Sequence, residues 1–256
     1  IGVIHPVESY WLYLGNNAQT QEIREQMDTD FEDLIRWLIF DSLDFDFLCE
    51  SLLPQLANPD QFAADAETET GTAPSLSVGA MKYDIILVPD LKTMRRTTLE
   101  LLEAFSAAGG TVLFAGQGPS LIDAKPSEEA AALSESCVCV PFQRHAILRA
   151  LEPFREVRIL TPQGSHARDL LTQMRTDGSD RFLFVCHSED KTDNVNREEK
   201  RVIEVKGSWN PVLYNTMTGA ITPQPASVQN GWTRIPVTLY AEDSILLKLQ
   251  PGKPAI

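Results

Sequence analysis

Several functions are excluded by what this chain has little of. No apolar run approaches the ~20 residues of a membrane-spanning helix, and no secretory leader pattern is present, so no membrane partner is expected. Basic residues are outnumbered, 22 Lys and Arg against 36 Asp and Glu, for a net charge of -14. They form no stripe, which argues against nucleic acid as a partner. Cysteine is scarce: Cys49, Cys137, Cys139 and Cys186. Cys137 and Cys139 are spaced to share one face of a strand. The repeated wider pairs of a zinc site are missing, so no metal is expected. Buried free thiols and a reducing, cytoplasmic compartment are the expectation. Position 1 is not Met and already sits in a strand-like run, so the natural N-terminus is expected upstream of Ile1.

What is present is enough for a real core. Hydrophobic residues make up 43% of 256, which fits one large or two ordinary domains. The acidity is uneven. Residues 1–150 hold 23 acidic and 9 basic residues, whereas 151–256 hold 13 of each. A solvated acidic surface on the first half explains this.

The first half alternates strand and helix signals. "IGVIH" is a short all-apolar strand of the buried parallel kind. Phe31, Leu34, Ile35, Leu38 and Ile39 line one face of a helix over about 21–41. Further strands are expected at 45–48, 83–91 ("YDIILVPDL"), 111–116 ("TVLFAG") and "CVCVPF". Further helices are expected at 97–108, 126–134 and 145–151. Residues 54–77 read as a long surface loop. This order implies a parallel sheet covered on both faces. The second half is a succession of short strands, with a hairpin turn at Asp177-Gly178, and reads as an antiparallel β-sandwich. The expected domains are 1–155 and 156–256.

Sheets of the first kind hold ligands beyond the carboxyl ends of their strands. The residues expected there are His5, Glu8, Glu50, Asp90, Gly116, Gln117 and Ser120. His5 and Glu8 are suited to acid/base exchange, but a capping and interface role at a strand end is the preferred reading. "FAGQGPS" carries Gln117 where a nucleophile elbow needs Ser or Cys, with Ser120 displaced beyond Pro119. It also lacks the third glycine of a dinucleotide fingerprint, so it reads as a tight turn. Trp11, beside Tyr10, is expected to face outward. Trp209 and Trp232 are candidates for stacking on sugars.

"VIHPVESYW", "YDIILVPDLKTM" and "LLEAFSAAGGTVLFAG" together resemble the middle domain of glycoside hydrolase family 42, the bacterial beta-galactosidases. Glu8, Tyr10 and Trp11 match the acid and paired aromatics that follow its first strand. The segment from "NPVLYNTMTGAITP" to "SILLKL" resembles the closing β-domain of such enzymes. The long loop and the His5-Pro6 pair depart from the family pattern. The resemblance implies a class I glutamine-amidotransferase-like (flavodoxin-like) domain used in trimerisation. It implies a catalytic barrel upstream carrying both catalytic carboxylates. The chain itself would then have no catalytic residue and no cofactor. It would form homo-oligomers and meet carbohydrate only through the parent enzyme. His5, Glu8, Tyr10 and Trp11 would form a rim or interface. The alternatives are a carbohydrate-binding module using Trp209 or Trp232, and a self-sufficient hydrolase using His5, Glu8 or Ser120.

Overall fold

A computed structural model describes residues 1–62, 74–188, 198–241 and 243–254. The chain divides into two compact units, Ile1–Leu34 with Phe45–Phe154, and Ile35–Asp44 with Arg155–Ile256. The middle of the expected long loop, 63–73, lies outside the described residues.

The first unit runs β1 (Gly2–Ile4), α1 (Val7–Trp11), α2 (Asn17–Phe40), β2 (Asp46–Leu48), α3 (Leu53–Leu56), β3 (Leu76–Val78) and β4 (Met81–Tyr83). It continues through β5 (Ile85–Val88), β6 (Thr93–Met94), α4 (Arg96–Ala107), β7 (Thr111–Ala115), β8 (Leu121–Ile122) and β9 (Lys125–Pro126). It closes with α5 (Glu129–Ser136), β10 (Val138–Val140) and α6 (Arg144–Leu151). The last turns of α2 are grouped with the second unit.

Five of these strands form one parallel sheet in the order β10-β7-β5-β1-β2. All four residues of β5 are buried, as expected of a central strand covered on both faces. Beneath the sheet, Leu99, Leu102 and Phe105 of α4 are inaccessible and join Ile86, Val88 and Phe114 in one core. Gly2 sits close against its neighbours in the sheet. A Cβ there would come within 2.8 Å of both Ile86 and Leu48 side chains.

The run "YDIILVPDL" is not one strand. Tyr83 belongs to β4, which pairs antiparallel with β3, and the parallel strand begins at Ile85. Tyr83 is buried, and its hydroxyl donates to Asp46 Oδ2 at 3.1 Å. The expectation of buried thiols also needs correction. Cys139 is exposed, the other three are partly buried, and all four are free. Residue 139 lies on the edge strand β10, which has only one neighbour to cover it.

The second unit contains β11 (Val157–Leu160), β12 (Leu170–Asp177), β13 (Asp180–His187), β14 (Glu199–Lys206) and β15 (Trp209–Tyr214). After these come β16 (Ile221–Pro223), β17 (Ser227–Gln229), β18 (Trp232–Leu239) and β19 (Ser244–Pro251). Two antiparallel sheets result, ordered β11-β14-β18-β17 and β12-β13-β19-β15-β16. The hairpin closes on Gly178, where φ is +58°, with Asp177 opposite Asp180. In β18 buried and more exposed residues alternate, which turns Ile235, Val237 and Leu239 inward. They share a core with Leu183, Val185, Leu247 and Leu249 of the other sheet.

This unit also holds a buried ion pair. Arg155 and Asp41 have side chains 1% and 6% exposed, with Nη2 2.5 Å from Oδ2. The Arg155 guanidinium donates to the Asp41 backbone carbonyl as well. That anchor explains why the segment after α2 belongs with residues 114 positions later.

Candidate functional site at the carboxyl ends of the parallel strands

Beyond β1 the chain does not project as a strand tip. It turns into the five-residue helix α1, and Ser9 pins that helix down. Ser9 is fully buried. Its Oγ accepts from the Lys92 and Thr93 N–H groups at 2.9 and 3.2 Å and donates to the Thr93 carbonyl at 3.3 Å. No sequence signal marks Ser9, because its partners lie 83 and 84 residues away.

The turn directs Glu8 inward. Its side chain is 11% exposed, and Arg95 Nε donates to Oε1 at 2.7 Å. Glu50, just past β2, is 1% exposed, and its Oε2 accepts the Arg95 N–H at 2.8 Å. One arginine therefore serves two carboxylates. Glu8 Oε2, Glu50 Oε1 and the Thr98 hydroxyl are buried without a hydrogen-bond partner among the described residues. Burial pushes the Glu50 carboxyl up to about 7, and the Glu8 charge adds to the rise. The Arg95 N–H, the nearby Thr98 hydroxyl and the Arg95 charge act against it.

His5 is boxed by aromatic edges, with ring centroids 5.3 Å from Phe31 and 5.2 Å from Phe47. Burial lowers its pKa, partly opposed by Glu8. No hydrogen bond or ion pair joins any two of His5, Glu8 and Ser120 among the described residues. Tyr10 is held far above the usual phenol range, chiefly by burial and then by Asp28. Trp11 is 55% exposed, and Leu14, just past α1, is 66% exposed. Gly116 takes φ +98°, and a Cβ there would stand 2.9 Å from Asp90 Cβ. The Gly-Gln-Gly segment is thus a tight turn packed on the β5 end.

Above these strand ends lies an open groove of about 450 Å³. Its walls come from α2, from Tyr10 and Tyr13, from Pro89, Asp90 and Lys92 after β5, and from Phe142 after β10. This is the crevice between β1 and β5, from which the connections wind in opposite directions.

In the second unit Trp209 and Trp232 are half-buried. The guanidinium of Arg181 lies 4.9 Å over the Trp209 ring, and that of Arg158 lies 4.2 Å over Trp232. Trp209 Nε1 donates to the Lys206 carbonyl at 2.7 Å. Asp169, His187 and Glu199 bring possible metal-ligand atoms within 4.8 Å of one another. The cation already there is Arg201, whose Nη2 lies 3.1 Å from Asp169 Oδ2 and 2.7 Å from Glu199 Oε2.

No family model matches the chain, and no curated protein matches it. Solved structures do. A catalytic mutant of Gan42B, a GH42 beta-galactosidase from G. stearothermophilus, superposes with a TM-score of 0.55 at 9% identity, over 97% of this chain and 40% of that one. The fold is one found within glycoside hydrolases. Gan42B without that mutation gives a TM-score of 0.54 at 10% identity, over 96% of this chain and 40% of the other. A rhamnosidase from Novosphingobium sp. PP1Y gives 0.54 at 16% identity, over 81% of this chain and 20% of that one. The chain thus spans two fifths or less of these enzymes. No helix among the described residues is long and apolar enough to cross a membrane.

Proposed function

We propose that this chain is an accessory and assembly region of a glycoside hydrolase, non-catalytic in itself, with the catalytic barrel upstream of residue 1. The observation that carries the reading is the likeness to Gan42B over nearly the whole chain, both units included, against 40% of that enzyme. The sheet order, renumbered along the chain as 2-1-3-4-5, supports a flavodoxin-like first domain. Two antiparallel sheets sharing one core support a β-sandwich as the second.

Glycoside hydrolysis needs two carboxyl groups flanking the scissile bond. Glu8 and Glu50 do not serve that need, since both are buried against Arg95. The exposed Trp11 and Leu14 suit contact with the barrel or with a neighbouring subunit in a homo-oligomer. Carbohydrate turnover then belongs to the parent enzyme.

The test compares this chain with the longer protein on aryl β-galactosides and aryl α-rhamnosides. The longer protein turns over at least one of them and elutes as an oligomer, whereas this chain alone gives no turnover. Robust hydrolysis by residues 1–256 alone would overturn the reading.

A further inference from the structure

The groove above β1 and β5 has a chemistry of its own. Two ladders of α2 side chains face it. Glu22, Gln26 and Asp30 recur every four residues, and Ile23, Met27 and Phe31 follow one position behind. One wall is therefore split lengthwise into a polar and an apolar strip. Gln26 Nε2 donates to Asp30 Oδ1 at 2.8 Å, which orients the amide. Gln26 Oε1 is then left as an acceptor with no partner among the described residues.

Asp90 and Lys92 stand on another wall, and neither side chain makes an ion pair or hydrogen bond among the described residues. The Tyr10 and Tyr13 rings complete the lining. The volume of about 450 Å³ lies within the range of small-molecule sites.

The lining selects a class of ligand. Three carboxylates against one ammonium repel an anion such as a phosphate ester. A purely apolar ligand would strand Asp90, Lys92 and the polar ladder without hydrogen bonds. An alkylamine could pair with a carboxylate but offers Lys92 no acceptor. A neutral ring with hydroxyls at its edge and C–H bonds on its face satisfies donors, acceptors and apolar strip together.

We propose that this groove binds a neutral saccharide unit, its hydroxyl edge on the polar ladder with Asp90 and Lys92, and its C–H face on the apolar ladder. The site gives the α/β unit a ligand of its own. It does not depend on the accessory role, and its failure would leave that reading standing.

The test is calorimetric titration of the chain with D-galactose, L-rhamnose and lactose, with putrescine and inorganic phosphate as the competing chemistries. At least one sugar should saturate. Gln26→Ala and Lys92→Ala, both chosen at the groove wall, should each weaken it roughly three- to tenfold, the worth of one hydrogen bond. Circular dichroism of both variants should match the parent. No saturation by any of the sugars would overturn the proposal. So would sugar binding indifferent to both substitutions, or saturation by putrescine or phosphate in place of sugar.

Discussion

Each unit of this chain sets an arginine against acidic partners, and the two groups are balanced differently. In the second unit Arg155 meets Asp41 with both side chains nearly inaccessible, and the guanidinium also serves the Asp41 backbone carbonyl. Arg168 Nε approaches the other carboxylate oxygen at 3.7 Å. In the first unit a single Arg95, with its side chain 36% exposed, faces both Glu8 and Glu50, and one oxygen of each carboxyl has no hydrogen bond. A balanced buried pair ties distant segments together. A group with one anion too many adjusts by keeping a proton, because an unpaired buried charge is more costly than a neutral acid. Burial is the main cause of the raised Glu50 carboxyl, and the neighbouring Glu8 charge adds to it.

The largest expected effect breaks the balanced side. Arg155→Met leaves the Asp41 carboxylate buried without its main partner and should cost about 3–5 kcal/mol in chemical denaturation. Arg155→Met combined with Asp41→Leu should recover much of that loss, since neither charge then remains. A single variant within about 1 kcal/mol of the parent would mean that Arg155 is not the anchor.

The next effect tests the unbalanced side through pH. Glu50 in the folded chain holds its proton to about 7, against 4.5 for an ordinary Glu. Between those values the folded state binds more protons than the unfolded one, so stability falls as pH rises. The contribution is intact below 4.5 and lost above 7. Across that window the fall should amount to roughly 3 kcal/mol. Glu50→Gln cannot titrate and should flatten this part of the profile. Equal slopes in parent and variant would place the titration elsewhere.

The contrast also explains what could be read in the sequence. The parallel strands were visible because strands buried on both faces are written as apolar runs, as in Ile85 to Val88. The Asp177-Gly178 turn was visible because glycine takes a positive φ without strain. His5, Glu8, Glu50 and Asp90 do follow the parallel strands at their carboxyl ends. Their arrangement was not legible. "HPVESYW" has no helical period over five residues, and α1 is held by Ser9 bonds to Lys92 and Thr93, more than 80 positions away. Arg155 and Asp41 lie 114 residues apart, and no local spacing reports such a pair. The two α2 ladders were hidden for another reason. The periodicity that announces a helix comes from its core face, Leu34 and Leu38, whereas Ile23 is exposed.

The smallest predicted effect sharpens the account of the unbalanced side. The Thr98 hydroxyl is fully buried beside Glu50 and meets no hydrogen-bond geometry. A buried hydroxyl with no partner already carries its desolvation penalty, so removing it costs nothing in bonding. Thr98→Val keeps the shape and should leave stability unchanged or raise it by up to about 1 kcal/mol at neutral pH. A loss of more than about 1 kcal/mol would reveal a hydrogen bond between Thr98 and the Glu50 carboxyl. Glu50 would then be less short of partners than Asp41 without Arg155, and the difference between the two buried groups would narrow.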